Sequence, residues 1–154
     1  MIASITIPRM NYFWLLFIPL AALFWAKLEI EIEGAHGWAA NLPTWKMENH
    51  FLLDIFYGGR PLTGYHVWAF SFVFLAFHLP FIATQSWSWR HELNVIGTYQ
   101  IFWCLEDYLW FVLNPHFGIK KLSKEQVWWH KRWFAGVPLD YWILSMVGIA
   151  LLSI

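Results

Sequence analysis

The chain has a single cysteine, Cys104, in 154 residues. That excludes an internal disulfide framework and a cysteine-based zinc cluster, and the apolar neighbours of Cys104 mark it as a packing residue rather than a nucleophile. Charge is scarce as well: Asp, Glu, Lys and Arg make up 13% of the residues, where a soluble domain carries about 25%. The charges sum to zero with histidine neutral, so nothing points to a nucleic-acid surface. No H-E-x-x-H occurs, which disfavours a zincin-type protease, and no G-x-S-x-G elbow or phosphate-binding glycine loop is present. Paired histidine boxes of the membrane desaturase type are missing. Two-histidine haem ligation lacks histidines on two facing spans, since His66 and His78 share one.

What is abundant is apolar and aromatic. Hydrophobic residues make up 59% of the chain, with 13 Trp and 6 Tyr. Trp and Tyr collect at membrane–water interfaces, where an apolar ring and a polar tip are both satisfied. A Trp-rich soluble core is the alternative. About 20 apolar residues cross the ~30 Å hydrocarbon layer as a helix. Four stretches meet or approach that length: 10–26, 64–83, 93–113 and 138–154. The first contains Pro19 as an expected kink and continues into Lys27 without a cleavage-type site, so it reads as a retained span. The expected fold is therefore a single membrane domain, all-α, of four transmembrane helices.

The connections supply a cap of short interfacial helices and loops. The first, 27–63, opens with LEIEIE, whose strict alternation reads as extended. It ends in ENHFLLDIFYGG, which predicts a short helix closed by Gly58-Gly59. The third, 114–137, mixes basic residues with VWWHKRWF and reads as a segment in the headgroup layer. Arg9 and Arg90 fall on one side of the four spans, and the other eight Lys and Arg fall on the other. That bias places the first and third connections in the cytoplasm, both termini outside, and the protein in a bacterial inner membrane.

Glu106 and Asp107 stand side by side within the third span. Ionisable residues inside membrane helices cost several kcal/mol and mark functional sites by default. Glu106 is seven residues before Leu113, roughly 10 Å inside the cytoplasmic end at ~1.5 Å per residue. His50 and Asp54, spaced four apart, share one face of the short helix, and His116 and His130 come from the third connection. Histidine with carboxylate is the ligand mixture for a divalent metal, Zn, Fe or Mn, so His50, Asp54, Glu106, Asp107, His116 and His130 form the candidate metal set. Glu48 and His66 stand behind them. Without metal, two adjacent acids at low dielectric repel, which suits general acid and base roles for Glu106 and Asp107. The bland readings are a structural acid pair tied to Arg60 or Lys131, a solvated Glu29–Glu31–Glu33 face, and His130 among lipid headgroups. His78 reads as a satisfied helix–helix contact.

Three functions fit. The first is a membrane-embedded, metal-dependent enzyme acting on a membrane lipid or lipid-like substrate at the cytoplasmic interface. The second is a Trp-rich, non-enzymatic subunit or assembly factor of a larger membrane complex or homo-oligomer. The third is a small carrier or proton pathway, disfavoured because the acids gather at one end of the bundle.

Overall fold

The computed structural model describes residues 12–154, with side chains from residue 16 onward apart from 55 and 56. Met10, where the first expected span begins, and Arg9 of the charge count lie outside the described residues. The chain is mostly helical. Its elements are α1 (Tyr12–Glu33), β1 (Lys46–Met47), α2 (Phe51–Phe56), β2 (Leu62–Thr63), α3 (Gly64–Phe77), α4 (Leu79–Thr84), α5 (Trp89–Leu113), a 3₁₀ turn (Ile119–Lys121), β3 (Trp133–Phe134), β4 (Val137–Pro138) and α6 (Leu139–Leu152).

The four expected spans correspond to α1, α3 with α4, α5, and α6. Among the described residues one of them, Gly64–Thr84, is long and apolar enough to cross a membrane, and Leu139–Leu152 is apolar but shorter. The second span breaks at His78, where Pro80 cannot donate to the preceding turn and α4 restarts the helix. α5 is long, but it carries Arg90 and Glu92 in its first turn and Glu106 and Asp107 further along.

The alternation in LEIEIE does not make a strand. α1 runs unbroken to Glu33, through Pro19, and Gly34 leaves it with a positive φ. The reason is a helical stripe beneath the alternation: Ala22, Ala26, Glu29, Ile30 and Glu33 are buried at three- and four-residue spacing. Glu31, on the opposite side, is exposed. The expectation of a solvated Glu29–Glu31–Glu33 face therefore holds for Glu31 alone.

α5 packs between α1 and α6. It meets α6 at Gly97 and Gly148, where a Cβ on Gly148 would lie 2.9 Å from the Gly97 carbonyl oxygen. Small residues let helix backbones approach this closely. Gly148→Val is expected to lower stability by about 1–3 kcal/mol through overpacking. The check is thermal unfolding in mild detergent, and an unshifted midpoint would count against this crossing.

The two long connections meet at one end of the helices. Their shared core is Trp38, Val127 and Trp129, packed on Ala26 and Ile30 of α1 and on Trp110 and Phe111 of α5. β1 pairs with β2, and β3 with β4, as short antiparallel ladders that fix the loop ends. The predicted helix in ENHFLLDIFYGG is α2, capped by the His50 ring on Leu52 N–H and closed by Gly58 and Gly59 at positive φ. Gly58 is also pressed against Asp140, 2.9 Å from where a Cβ would sit, so this turn delivers the next residue but one, Arg60, to the fourth helix.

Candidate functional site

Beneath this cap lies a cavity of about 250 Å³. Its wall carries five acids, Glu29, Glu33, Glu106, Asp107 and Asp140, with Arg60 and His66. α5 contributes Gln100, Trp103, Glu106, Asp107 and Trp110, residues three, four or seven apart and so on one helix face.

On one side the charges are matched. His130 bridges two carboxylates, with Nε2 3.1 Å from Asp107 Oδ2 and Nδ1 3.3 Å from Asp140 Oδ2. Arg60 reaches Asp140 at 3.0 Å. The Tyr141 hydroxyl donates to Asp107 at 2.5 Å. Burial works to lower the His130 pKa, but hydrogen bonds to Asp107 and Asp140 outweigh it and hold it above the ordinary value. Both ring nitrogens face carboxylate oxygens, an arrangement that favours the imidazolium and occupies both lone-pair positions of the ring. Arg60 also lies over the rings of Trp38 and Tyr57, 4.8 and 5.1 Å from their centroids.

Glu33 is committed to the cap. Its carboxyl oxygens accept from the backbone N–H groups of Trp38 (3.0 Å) and Ala39 (2.5 Å), both of which adopt positive φ. Burial first, then the neighbouring Glu29, raises the Glu33 carboxyl, against the pull of those two N–H groups. His66 Nδ1 shares a 2.7 Å hydrogen bond with the Thr63 hydroxyl, the ring stacks on Trp38 at 4.0 Å, and Nε2 lies 3.6 Å from Glu33.

On the other side the acids face each other. Glu29 and Glu106 are close neighbours on the wall, and Glu29 accepts from the Tyr65 hydroxyl at 3.1 Å. Burial pushes the Glu29 carboxyl up, further than its neighbours Glu106 and Tyr65 pull it down. Two carboxyls this close in a buried site repel when both are charged, which favours a proton held between them. Glu106 is 2% exposed. Its Oε1 has no hydrogen-bond partner, and neither do the buried Gln100 Oε1, Tyr57 hydroxyl and Trp110 Nε1 on the same wall. Buried polar atoms left unpaired are rare and call for a reason.

Of the expected site residues, the structure brings Glu106, Asp107, His130 and His66 together. It leaves the rest outside the cavity wall. His50 caps α2 through Nδ1, while Asp54, Glu48 and His116 are exposed. Among the described residues no group of three His, Cys, Asp or Glu side chains is disposed to hold a metal ion. His130 is buried rather than among headgroups, whereas its neighbours Trp128, Lys131 and Arg132 are exposed. The expected tie of the acid pair to Arg60 or Lys131 is replaced by Arg60 on Asp140 and His130 on Asp107. His78 does make a helix–helix contact, to Glu92 at 3.0 Å. Cys104 packs against Ser145 of α6.

Sequence reasoning missed Tyr57 and Tyr141, and it left Glu29, Glu33, Arg60 and Asp140 out of the candidate site although chain direction puts them at the same end of the bundle. The helical stripe through Ala22 and Ala26 signals Glu29 and Glu33, whereas no sequence spacing signals the contact between Arg60 and Asp140. No family model, curated protein or solved structure matches this chain.

Proposed function

We propose that this protein is a membrane-embedded enzyme that transfers a proton to or from the polar end of a lipid or other amphiphile, with Glu106 and Glu29 as the acid–base pair. The observation that carries this reading is a buried carboxyl oxygen, Glu106 Oε1, left without a partner on a cavity wall beside a second carboxyl. Acid–base catalysis needs a group positioned on the substrate and poised between protonation states, and a proton-sharing carboxyl pair supplies one. Asp107, tied to His130 and Tyr141, holds the wall in place rather than reacting. The reading gives these acids acid–base roles and not metal-ligand roles, because His50 caps α2 and His116 is exposed, both away from the cavity wall.

The membrane part of the reading is supported by the apolar exterior. Leu16, Leu20 and Phe24 of α1, Trp68, Phe72 and Leu75 of α3, and Ile143, Met146 and Ile149 of α6 are all exposed. Contiguous apolar surface of this kind marks a partner or a bilayer. α6, with 14 residues, rises about 21 Å and leaves a mismatch that local thinning of the bilayer absorbs. The Lys and Arg bias orients the cavity towards the cytoplasm. A scaffold subunit would need its acids within reach of a partner's arginine, and at 2% exposure Glu106 is not.

Untargeted lipid analysis of membranes from cells producing the wild type, Glu106→Gln or no protein tests this reading. The expected result is a lipid fraction altered by the wild type alone. Identical profiles in all three would count against an enzyme.

A further inference from the structure

We propose that the cavity binds the primary ammonium head of a single-chain or other phosphate-free amphiphile, with its hydrocarbon chain in the neighbouring groove between α1 and α3. This rests on the reading that Glu106 faces the polar end of an amphiphile, and adds which polar end.

Charge decides the head. Arg60 and His130 are matched by Asp140 and Asp107, and Glu33 is satisfied by backbone N–H groups. What is left over is the Glu29–Glu106 pair, two carboxyls with no cation paired to them among the described residues, and a monocation placed between them relieves their repulsion. Of the unpaired atoms on this wall, Glu106 Oε1 and Gln100 Oε1 accept, as an ammonium requires, and the Tyr57 hydroxyl can also accept, while the indole N–H groups of Trp103 and Trp110 are donors that an ammonium leaves unused. Trp103 and Trp110 flank Glu106 on the same face of α5, three residues before and four after, and indole faces attract cations. A phosphate head would meet five acids and one arginine on this wall, so it is disfavoured. The volume of about 250 Å³ suits a head rather than a whole lipid, since drug-sized ligands fill about 300–1,000 Å³.

The chain has a place to lie. A second, apolar groove of about 560 Å³ runs along α1 and α3, walled by Trp25, Leu28, Trp68 and Phe72. Tyr65 stands between the two spaces: it lines the groove, and its hydroxyl bonds Glu29 on the cavity wall at 3.1 Å, so this one hydrogen bond must open for head and chain to be held together.

The test is binding of decylamine, decanol and decanoate to purified full-length protein in mild detergent, followed by tryptophan fluorescence. Decylamine is expected to bind about tenfold or more tightly than decanol, as a charge-assisted hydrogen bond provides, and decanoate not at all. Glu106→Gln should remove that preference, with Glu29→Gln as the second variant should the first not fold. Trp68→Ala should weaken decylamine and decanol alike. Equal binding of amine and alcohol, or a preference that survives in both glutamate variants, overturns the ammonium head. Unchanged binding in Trp68→Ala overturns the groove. The outcome is separable from that of the lipid analysis. Amine preference without lipid turnover leaves a binding site and removes the enzyme. Turnover without amine preference leaves the enzyme and removes the ammonium.

Discussion

His130→Ala is expected to destabilise the protein by about 3–5 kcal/mol, the range for breaking a buried charge pair by removing one partner. The His130 side chain is fully buried, and it links Asp107 on α5 to Asp140 on α6. Its loss leaves two half-buried carboxylates, of which Arg60 bridges only Asp140. An exposed ion pair would contribute only ~0–1 kcal/mol, so the size of the effect distinguishes a buried linker from a headgroup contact. Unfolding by heat or denaturant in detergent measures it, with His130→Gln, which can still donate one hydrogen bond, falling between. A loss below ~1 kcal/mol would contradict the bridging role.

The same residue gives a pH dependence of definite sign. Burial disfavours the imidazolium, but the hydrogen bonds to Asp107 and Asp140 prevail and the folded pKa is raised. A raised histidine pKa contributes stability that is complete below the unfolded value and disappears as pH climbs through the folded one. The wild type is thus expected to lose stability from neutral towards alkaline pH, and His130→Gln to lack that component. Equal slopes in the two proteins would contradict it.

Glu106→Leu is expected to act in the opposite direction, raising stability by about 1–3 kcal/mol while abolishing lipid turnover. That gain is the desolvation cost of an unsatisfied buried polar group, relieved when the group is removed. It also ends the facing of two carboxyls across the cavity. A residue whose replacement stabilises the fold and removes activity is one kept for function. A destabilised Glu106→Leu would mean that the carboxyl is structural glue, bound to partners in the folded protein.

The helices were largely legible because they are written as long apolar runs with clear stops. Asn114-Pro115 ends α5, and Gly58-Gly59 closes α2. The gathering of polar residues at one end of the bundle was legible too, since it follows from chain direction. LEIEIE misled because a period of two and a period of 3.6 overlap across six residues. Only the stripe upstream, Ala22 and Ala26, shows that the helix goes on. The histidines misled differently. His50 and His116 have the chemistry of ligands, but one caps a helix and the other is exposed. His130, in a basic aromatic string suited to a lipid surface, is turned inward with Trp129. Which of two neighbours in such a string points in depends on the loop backbone, and Arg60 meeting Asp140 depends on how α2 and α6 come together. Neither is encoded in local spacing.

The account depends on a carboxyl from α1 and a carboxyl from α5 meeting in a closed space with one proton between them. Infrared spectroscopy of the purified protein at neutral pH tests this most directly, because a protonated carboxyl has its own carbonyl stretch. The wild type should show that band, Glu29→Gln and Glu106→Gln should each lose intensity from it, and decylamine should perturb it in the wild type. A wild-type band that both variants retain unchanged, or no such band at all, would contradict the shared proton and the chemistry built on it.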